Sequence, residues 1–230
     1  MKTIGLLGGM SWESTALYYQ WINELVKEKL GGLHSAQIAM VSVDFQGIED
    51  LQHKGEWEGA GEVLRLAAMQ IEAAGADFLL ICTNTMHKVA PQIEAAINIP
   101  LLHIADATAD AIKEKGISSI GLLGTNFTME QDFYAGRLKE VHGLEVIVPE
   151  KADRDIVHRV IYDELVLGAV KKDSREEYLR IMQNLQDRGA EGVIEGCTEI
   201  VMLVQQKHTT IPLFDTTAIH AKKAVEMALS

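Results

Sequence analysis

One short pattern occurs twice in this chain of 230 residues. The first copy starts at Gly75 and the second at Gly189, so the copies lie 114 residues apart. Each copy reads as the end of a helix, Gly-Ala with an acidic residue, a short apolar run and then small polar residues. Such a run is typical of a parallel strand that is buried on both faces. The pattern therefore predicts two similar strands, each of which ends at a polar tip.

Two further matches extend this repeat along the chain. Thr3–Gly8 matches Ser119–Gly124 at an offset of 116 residues, and Ile99–Leu102 matches Ile211–Phe214 at an offset of 112 residues. Three matches in the same order predict a duplication with small insertions and deletions. The spacing is far longer than the roughly 20 to 50 residues of solenoid repeats, so it predicts two similar domains.

Strand-like and helix-like stretches alternate along the chain, which is typical of an α/β fold. We expect two doubly wound parallel-sheet domains, the first at residues 1–98 plus 209–230 and the second at residues 99–208. Ligands of open α/β sheets bind at the carboxyl ends of the strands, so we expect an active site in a cleft between the domains. The predicted strands are Thr3–Leu7, Gln37–Val43, Phe78–Cys82, Leu101–His103, Ser119–Leu123, Glu145–Val148, Gly192–Glu195 and Leu213–Phe214.

Composition excludes several classes of function. The formal net charge of −12 argues against a nucleic-acid partner, which needs a basic face. No apolar run approaches about 18 residues and no signal-peptide pattern opens the chain, so we expect neither a membrane span nor export. Cys82 and Cys197 are too few for a disulfide framework and lack zinc-type spacing, which favours free thiols in the cytoplasm. No phosphate-binding motif is present, and nothing calls for a nucleotide, a metal or pyridoxal phosphate.

Cys197 is the strongest candidate for chemistry. It follows Gly196 at the end of a predicted strand, where a helix is expected to start. The N–H groups and the positive dipole end of a helix start lower the pKa of a thiol, so this position favours a reactive cysteine over a buried one.

Three motifs carry a resemblance to a known family. Gly196-Cys197-Thr198-Glu199, Asn84-Thr85-Met86-His87 and Gly8-Gly9-Met10-Ser11 together resemble the cofactor-independent aspartate/glutamate racemases, over essentially the whole chain. The resemblance implies two exchanged α/β domains, an amino-acid substrate, no cofactor and a homodimer. It also implies one catalytic cysteine from each half, on either side of the substrate α-carbon.

The chain departs from the family pattern in the first half. The family has a cysteine immediately before Asn-Thr, whereas here Thr83 precedes Asn84 and Cys82 lies one position earlier. Adjacent side chains of a strand point to opposite faces, so Cys82 and Thr83 cannot both face a substrate unless the backbone bends. The repeat pairs Thr83 with Cys197. We therefore predict Thr83 in the catalytic position, with Cys82 as the alternative through a shifted strand tip.

This pair predicts a kinetic asymmetry. A thiol is partly ionised at neutral pH, whereas a hydroxyl is a far weaker acid and a poor base. The resemblance implies that the second-half cysteine faces the L enantiomer, so Cys197 is expected to remove its α-proton, with Thr83 donating or relaying a proton on the other face. Turnover from L to D should then be faster. His87, next in the motif, is a candidate to assist Thr83.

Substrate contacts are implied by the resemblance, with helix capping as the alternative role for the threonines. Lys54 and Lys88 are possible counter-charges for a distal carboxylate, whereas Glu164 would repel one. Other readings stay open: a broad-specificity polar amino-acid racemase, a decarboxylase, hydantoin racemase or maleate-type isomerase on the same scaffold, or a non-catalytic amino-acid-binding protein. The expected substrate-binding residues are Met10, Gln52, Asn84, Thr85, Thr125, Thr128, Thr198 and Glu199.

Overall fold

The computed structural model describes residues 1–230 and divides into two compact units. The first unit comprises residues 1–104 and 217–230, and the second comprises residues 105–216. The chain therefore passes twice from one unit to the other, and the last helix returns to the first.

The first unit is a three-stranded parallel sheet with helices on both faces. The strand order is β2-β1-β3. Its elements are β1 (Ile4–Gly8), α1 (Trp12–Leu30), β2 (Ile38–Ser42), α2 (Phe45–Lys54), α3 (Trp57–Ala73), β3 (Phe78–Ile81), a 3₁₀ turn (Thr85–Val89), α4 (Ala90–Glu94) and the C-terminal α11 (Thr216–Leu229).

The second unit is a four-stranded parallel sheet of order β5-β4-β6-β7. Two parallel sheets with intervening helices confirm the predicted α/β fold. The elements are α5 (Ile104–Glu114), β4 (Ser119–Leu123), α6 (Asn126–Glu130), α7 (Asp132–Glu140), β5 (Glu145–Ile147), α8 (Lys151–Asp163), a 3₁₀ turn (Leu165–Leu167), α9 (Lys172–Asp187), β6 (Val193–Glu195), α10 (Ile200–Leu203), a 3₁₀ turn (Gln206–His208) and β7 (Leu213–Asp215).

The unit boundaries differ by several residues from the ones drawn from the sequence. The segment 209–216, assigned above to the first domain, contains β7, which pairs with β6 of the second sheet. Segment 99–104, assigned above to the second domain, includes Leu101, which forms an isolated parallel bridge with Leu79 of β3. Backbone pairing thus decides where the chain changes unit.

Burial on both faces explains the continuous apolar strands. In β1, Ile4 and Leu6 pack against α1 and α11, whereas Leu7 packs on the other face against α3. In β6, Val193 contributes to the main core of the second unit, beneath α8 and α9. Every residue of β1, β3, β4 and β6 is buried. No helix is both long and apolar enough to cross a membrane.

Each first strand carries a glycine where a helix approaches the sheet closely. A Cβ atom on Gly5 would lie 2.7 Å from Ile71 Cγ2 and 2.8 Å from the carbonyl oxygen of Phe78. A Cβ atom on the matching Gly121 would lie 3.0 Å from Leu185 Cδ1. The repeated glycine thus permits the same close packing in both units.

Gly5→Ala should lower the free energy of unfolding by about 1–3 kcal/mol, because the new methyl meets a backbone oxygen that cannot move aside. Gly121→Ala should lower the free energy of unfolding by less, because the closest neighbours of the new methyl are ends of side chains. Gly47→Ala is the control. Gly47 lies in α2 with open space around it, so alanine there should be neutral or stabilising by up to about 1 kcal/mol. Urea unfolding measures all three, and equal effects at Gly5 and Gly47 would contradict this packing.

Candidate active site

Cys82 lies inside the apolar core of the first unit. Phe78, Leu80 and Cys82 alternate along one face of β3 and pack in one cluster with Leu6. The side chain of Cys82 is 0% exposed, and burial raises the pKa of its thiol far above the usual range. Strand alternation therefore continues through Cys82, and its thiol faces away from solvent.

Thr83 projects on the opposite side of the same tip. Within residues 81–90, only Thr83, Thr85 and Lys88 keep partly exposed side chains. The Thr83 hydroxyl makes no hydrogen bond to another protein group, which leaves it available to a ligand. Asn84 is buried beside it.

His87 supports the backbone of this tip. Its Nδ1–H donates to the carbonyl oxygen of Thr83 at 2.8 Å, and its Nε2 accepts from the backbone N–H of Ile104 at 3.2 Å. Both nitrogens are engaged, so the imidazole is neutral. Burial, together with the nearby His103 and His220, holds the pKa of His87 well below its usual value. His87 therefore positions the Thr83 backbone, and it does not contact the hydroxyl as a base would.

Two other predicted contacts of the first unit are largely buried. The side chain of Met10 packs in the apolar cluster formed with α2 and α3. Gln52 is also buried, and its amide nitrogen donates to the sulfur of Met86. Gln52 thus ties α2 to the 3₁₀ turn that follows β3. Lys88 lies above the ring of Trp57, and Lys54 is exposed at the end of α2.

The tip of β6 presents a thiol next to a carboxylate. Cys197, Thr198 and Glu199 are partly exposed, and the residues on either side of them are buried. Cys197 Sγ donates to Glu199 Oε2 at 2.9 Å. Burial and the adjacent negative charge of Glu199 raise the pKa of Cys197 well above its usual value.

The expected lowering of the Cys197 pKa was therefore wrong. The following helix, α10, has only four residues, and Glu199 occupies its N-cap without a side-chain hydrogen bond to it. A single turn supplies little dipole, and the neighbouring carboxylate outweighs it. Cys197 at rest is a thiol, and its ionisation requires a proton acceptor.

A buried polar network lies behind this tip. The hydroxyl of Tyr178 donates to the carbonyl oxygen of Val157 at 2.8 Å, and burial raises its pKa, with smaller contributions from Cys197 and Glu164. Glu164 accepts from the Ser174 hydroxyl at 2.6 Å and pairs with Lys171 at 3.4 Å. The Glu164 carboxylate therefore has its own partners within the second unit.

The tip of β4 supplies two more of the predicted residues. Thr125 begins α6, and its hydroxyl lies 3.3 Å from that of Thr128. Thr128 is 0% exposed, and its methyl packs where Gly124 and Gly196 leave room, so its side chain holds the two tips together. The predicted substrate contact Thr128 is thus fully buried in this structure.

Asn126 was not anticipated from the sequence. Its Oδ1 is buried without a hydrogen-bond partner, whereas its backbone N–H donates to His158 Nδ1 at 3.2 Å. The sequence did contain a signal for Asn126, because Thr125-Asn126 follows β4 in the same way that Thr83-Asn84 follows β3.

Glu195 is a second unanticipated group. It precedes Gly196 and lies opposite Asp215 in the β6–β7 ladder. It is almost fully buried, and its Oε1 has no hydrogen-bond partner. Burial, with a smaller effect of Asp215, raises the pKa of Glu195 to about 8. It is therefore largely protonated at neutral pH. No group of three or more His, Cys, Asp or Glu side chains is placed to hold a metal ion.

Comparison with known proteins identifies the class. The family model for Asp/Glu/hydantoin racemases matches residues 7–224, so the chain belongs to this family. Racemases are isomerases, and the prediction of an isomerase is confirmed.

Individual relatives agree with this assignment. A crystal structure from Yersinia pestis, described as a candidate Asp/Glu racemase, is 56% identical with a TM-score of 0.96, and each chain is covered completely. An aspartate racemase homologue from Pyrococcus horikoshii is 35% identical with a TM-score of 0.88, again over the whole of both chains. The broad-specificity amino-acid racemase RacX of Bacillus subtilis is 22% identical, over 99% of this chain and 98% of its own.

Two substitutions separate the hydrogen bonds of His87. The amide nitrogen of asparagine is as many bonds from Cα as Nδ1, so His87→Asn retains a donor to Thr83. His87→Gln instead places its amide near Nε2 and loses that donor. Each variant loses one buried hydrogen bond and should unfold about 1–3 kcal/mol more easily. Racemase kcat should fall mainly in His87→Gln. If the two variants were equally stable and lost kcat equally, the result would contradict the view that His87 acts by positioning Thr83.

Glu195 should make the protein less stable at alkaline pH. Its pKa is raised from the usual 4.5 of a glutamate to about 8, so the folded state binds its proton more tightly than the unfolded state. The resulting stability is complete at acidic pH and is lost as pH rises through about 8, by a few kcal/mol. Thermal unfolding from about pH 5 to about pH 9 should show this decline in the wild type. The decline should be smaller in Glu195→Gln, and parallel curves would contradict the assignment.

Proposed function

We propose that the protein is a PLP-independent racemase of aspartate and glutamate, in which Cys197 acts on one face of the substrate α-carbon and Thr83 on the other. The observation that carries this proposal is the 2.9 Å contact between Cys197 and the Glu199 carboxylate. The complete burial of Cys82 supports Thr83, rather than Cys82, as the opposing group.

Glu199 supplies the proton acceptor that Cys197 needs. Its carboxylate takes the thiol proton, which leaves a thiolate and a neutral carboxylic acid. The thiolate then removes the α-proton of the L enantiomer and becomes a thiol again. Two groups thus share the task of a general base, as in other activated cysteine sites. Glu199, expected above to bind substrate, acquires a catalytic role.

Thr83 completes inversion on the opposite face. Its hydroxyl donates a proton to the substrate carbanion while it takes one from water, so no free alkoxide accumulates. The exposure of Thr83 and its unengaged hydroxyl support such a relay. In the reverse direction a hydroxyl must act as the base, which is much harder. Turnover from the D enantiomer is therefore slow. Because the equilibrium constant is one, its low kcat is compensated by a low KM.

The remaining polar side chains are assigned to the charged groups of the substrate. Asn84 and Thr85 bind the α-carboxylate. Thr125 and Thr198 are further substrate contacts, and Asn126 Oδ1 offers an acceptor to the α-ammonium group.

A broad-specificity racemase is the second candidate. It is favoured by the name of the Bacillus subtilis relative, which matches almost the whole chain. A decarboxylase or a non-catalytic binder on the same scaffold lacks a comparable observation, and neither would exchange the α-proton of an amino acid reversibly.

Proton exchange in D₂O tests the catalytic assignment. Cys197→Ser should lower α-proton exchange of L-glutamate by roughly 10²- to 10⁴-fold, because the base is lost. Glu199→Gln should lower it as well, because an amide oxygen is a weak proton acceptor. Thr83→Ala should retain exchange of the L enantiomer and lose formation of D-glutamate. ¹H NMR with chiral analysis of the product measures both.

Cys82→Ala is the matched control. It removes the other thiol from the core and should leave exchange and racemisation close to wild type. Loss of exchange in Cys82→Ala at unchanged folding would contradict the assignment of Thr83 and favour a cysteine pair. Absence of exchange by the wild type with any amino acid would contradict the racemase function.

A further inference from the structure

Lys88 shares one face of the 3₁₀ turn with Thr85. A 3₁₀ helix has three residues per turn, so residues i and i+3 are eclipsed and lie about 6 Å apart along the axis. Both side chains are partly exposed, whereas Met86, His87 and Val89 are buried. This face therefore presents a hydroxyl and, one turn further on, an ammonium group.

The ammonium group of Lys88 is held in place by an aromatic ring. Its Nζ lies 3.8 Å from the centroid of Trp57, the first residue of α3. A cation over an indole face is attracted by the ring quadrupole, and the contact restrains a side chain that is otherwise flexible. Partial burial lowers the pKa of Lys88.

No carboxylate of the protein neutralises Lys88. Its Nζ takes part in none of the ion pairs within 4.0 Å. Glu56 and Glu58, on either side of Trp57, are exposed, and neither forms an ion pair with Lys88. The chain has 33 acidic and 21 basic residues, so an available carboxylate would be easy to find. A partly desolvated cation without a counter-ion favours an anionic ligand.

We infer that Lys88, restrained by Trp57, binds the distal carboxylate of an acidic amino-acid substrate. This inference rests on the proposed function, in which Asn84 and Thr85 bind the α-carboxylate on the same segment. Aspartate and glutamate carry a second carboxylate, whereas asparagine and glutamine carry a neutral amide. Lys88 therefore separates the acids from their amides, and the preferred substrates are dicarboxylic amino acids.

Lys88→Met tests the inference with matched pairs of substrates. The variant keeps the length and the apolar stem of the side chain and loses only the charge. The kcat/KM for α-proton exchange of L-glutamate and L-aspartate should fall roughly tenfold to hundredfold, the usual effect of losing a hydrogen bond to a charged group. The values for L-glutamine and L-asparagine should stay at the wild-type level. Lys88→Arg should restore the preference for acids.

Lys29→Met is the control, because Lys29 is an exposed lysine in the last turn of α1. It should change neither the glutamate-to-glutamine ratio nor the aspartate-to-asparagine ratio of kcat/KM. Circular dichroism verifies that each variant is folded. An unchanged ratio of glutamate to glutamine in Lys88→Met would overturn the inference and leave racemase activity intact. An equal loss for acids and amides would assign Lys88 to the shared α-carboxylate and would also overturn it. A wild type that exchanges no amino acid would overturn the proposed function, and this inference with it.

Discussion

The alternation of side chains at the end of β3 decides which polar group of this strand tip is exposed. Phe78, Leu80 and Cys82 all face one apolar cluster, and the backbone N–H of Cys82 donates to the carbonyl oxygen of Leu7 at 2.9 Å. The hydrogen-bonded ladder between β1 and β3 therefore continues to Cys82 and fixes the direction of its side chain. The next residue, Thr83, must point the other way. Moving Cys82 to the exposed side would bury a hydroxyl in the core and break this register.

The second constraint is the charge balance around Cys197. An isolated thiol at this depth would stay protonated, because burial disfavours the thiolate. In the proposed mechanism Glu199, which accepts the thiol hydrogen bond within the same short turn, takes up this proton. The partly exposed Glu199 side chain would then return that proton to solvent. In the proposed mechanism Cys197 is the competent base and Thr83 a weak proton donor, and this difference is the source of the proposed preference for the L enantiomer.

Much of the fold was predictable from the sequence, because buried parallel strands leave continuous apolar runs. β4 was predicted with its observed bounds, Ser119–Leu123. Other local features are not written in the sequence pattern. The helices α6 and α7 are separated at Gln131, whose extended backbone no propensity indicates. The helix α2 is hard to predict, because Gly47 interrupts a short polar stretch.

For the candidate site, the sequence indicates positions and says less about the surroundings of their side chains. Spacing and the repeat pointed to Thr83 and Cys197, since strand alternation is written in the sequence. The raised pKa of Cys197 was not predictable, because it depends on burial and on the direction of the Glu199 side chain. The same holds for Lys88, whose restraint by Trp57 joins residues 31 positions apart.

The most direct test of this account is the position of deuterium early in the reaction of L-glutamate with the wild type in D₂O. A single competent base on the L side, reprotonated through Glu199, predicts that the remaining L-glutamate gains α-deuterium faster than D-glutamate forms. Two equally competent bases would give deuterated D-glutamate while the remaining L-glutamate keeps its proton. That second result would contradict the assignment of Cys197 and Thr83 to unequal roles.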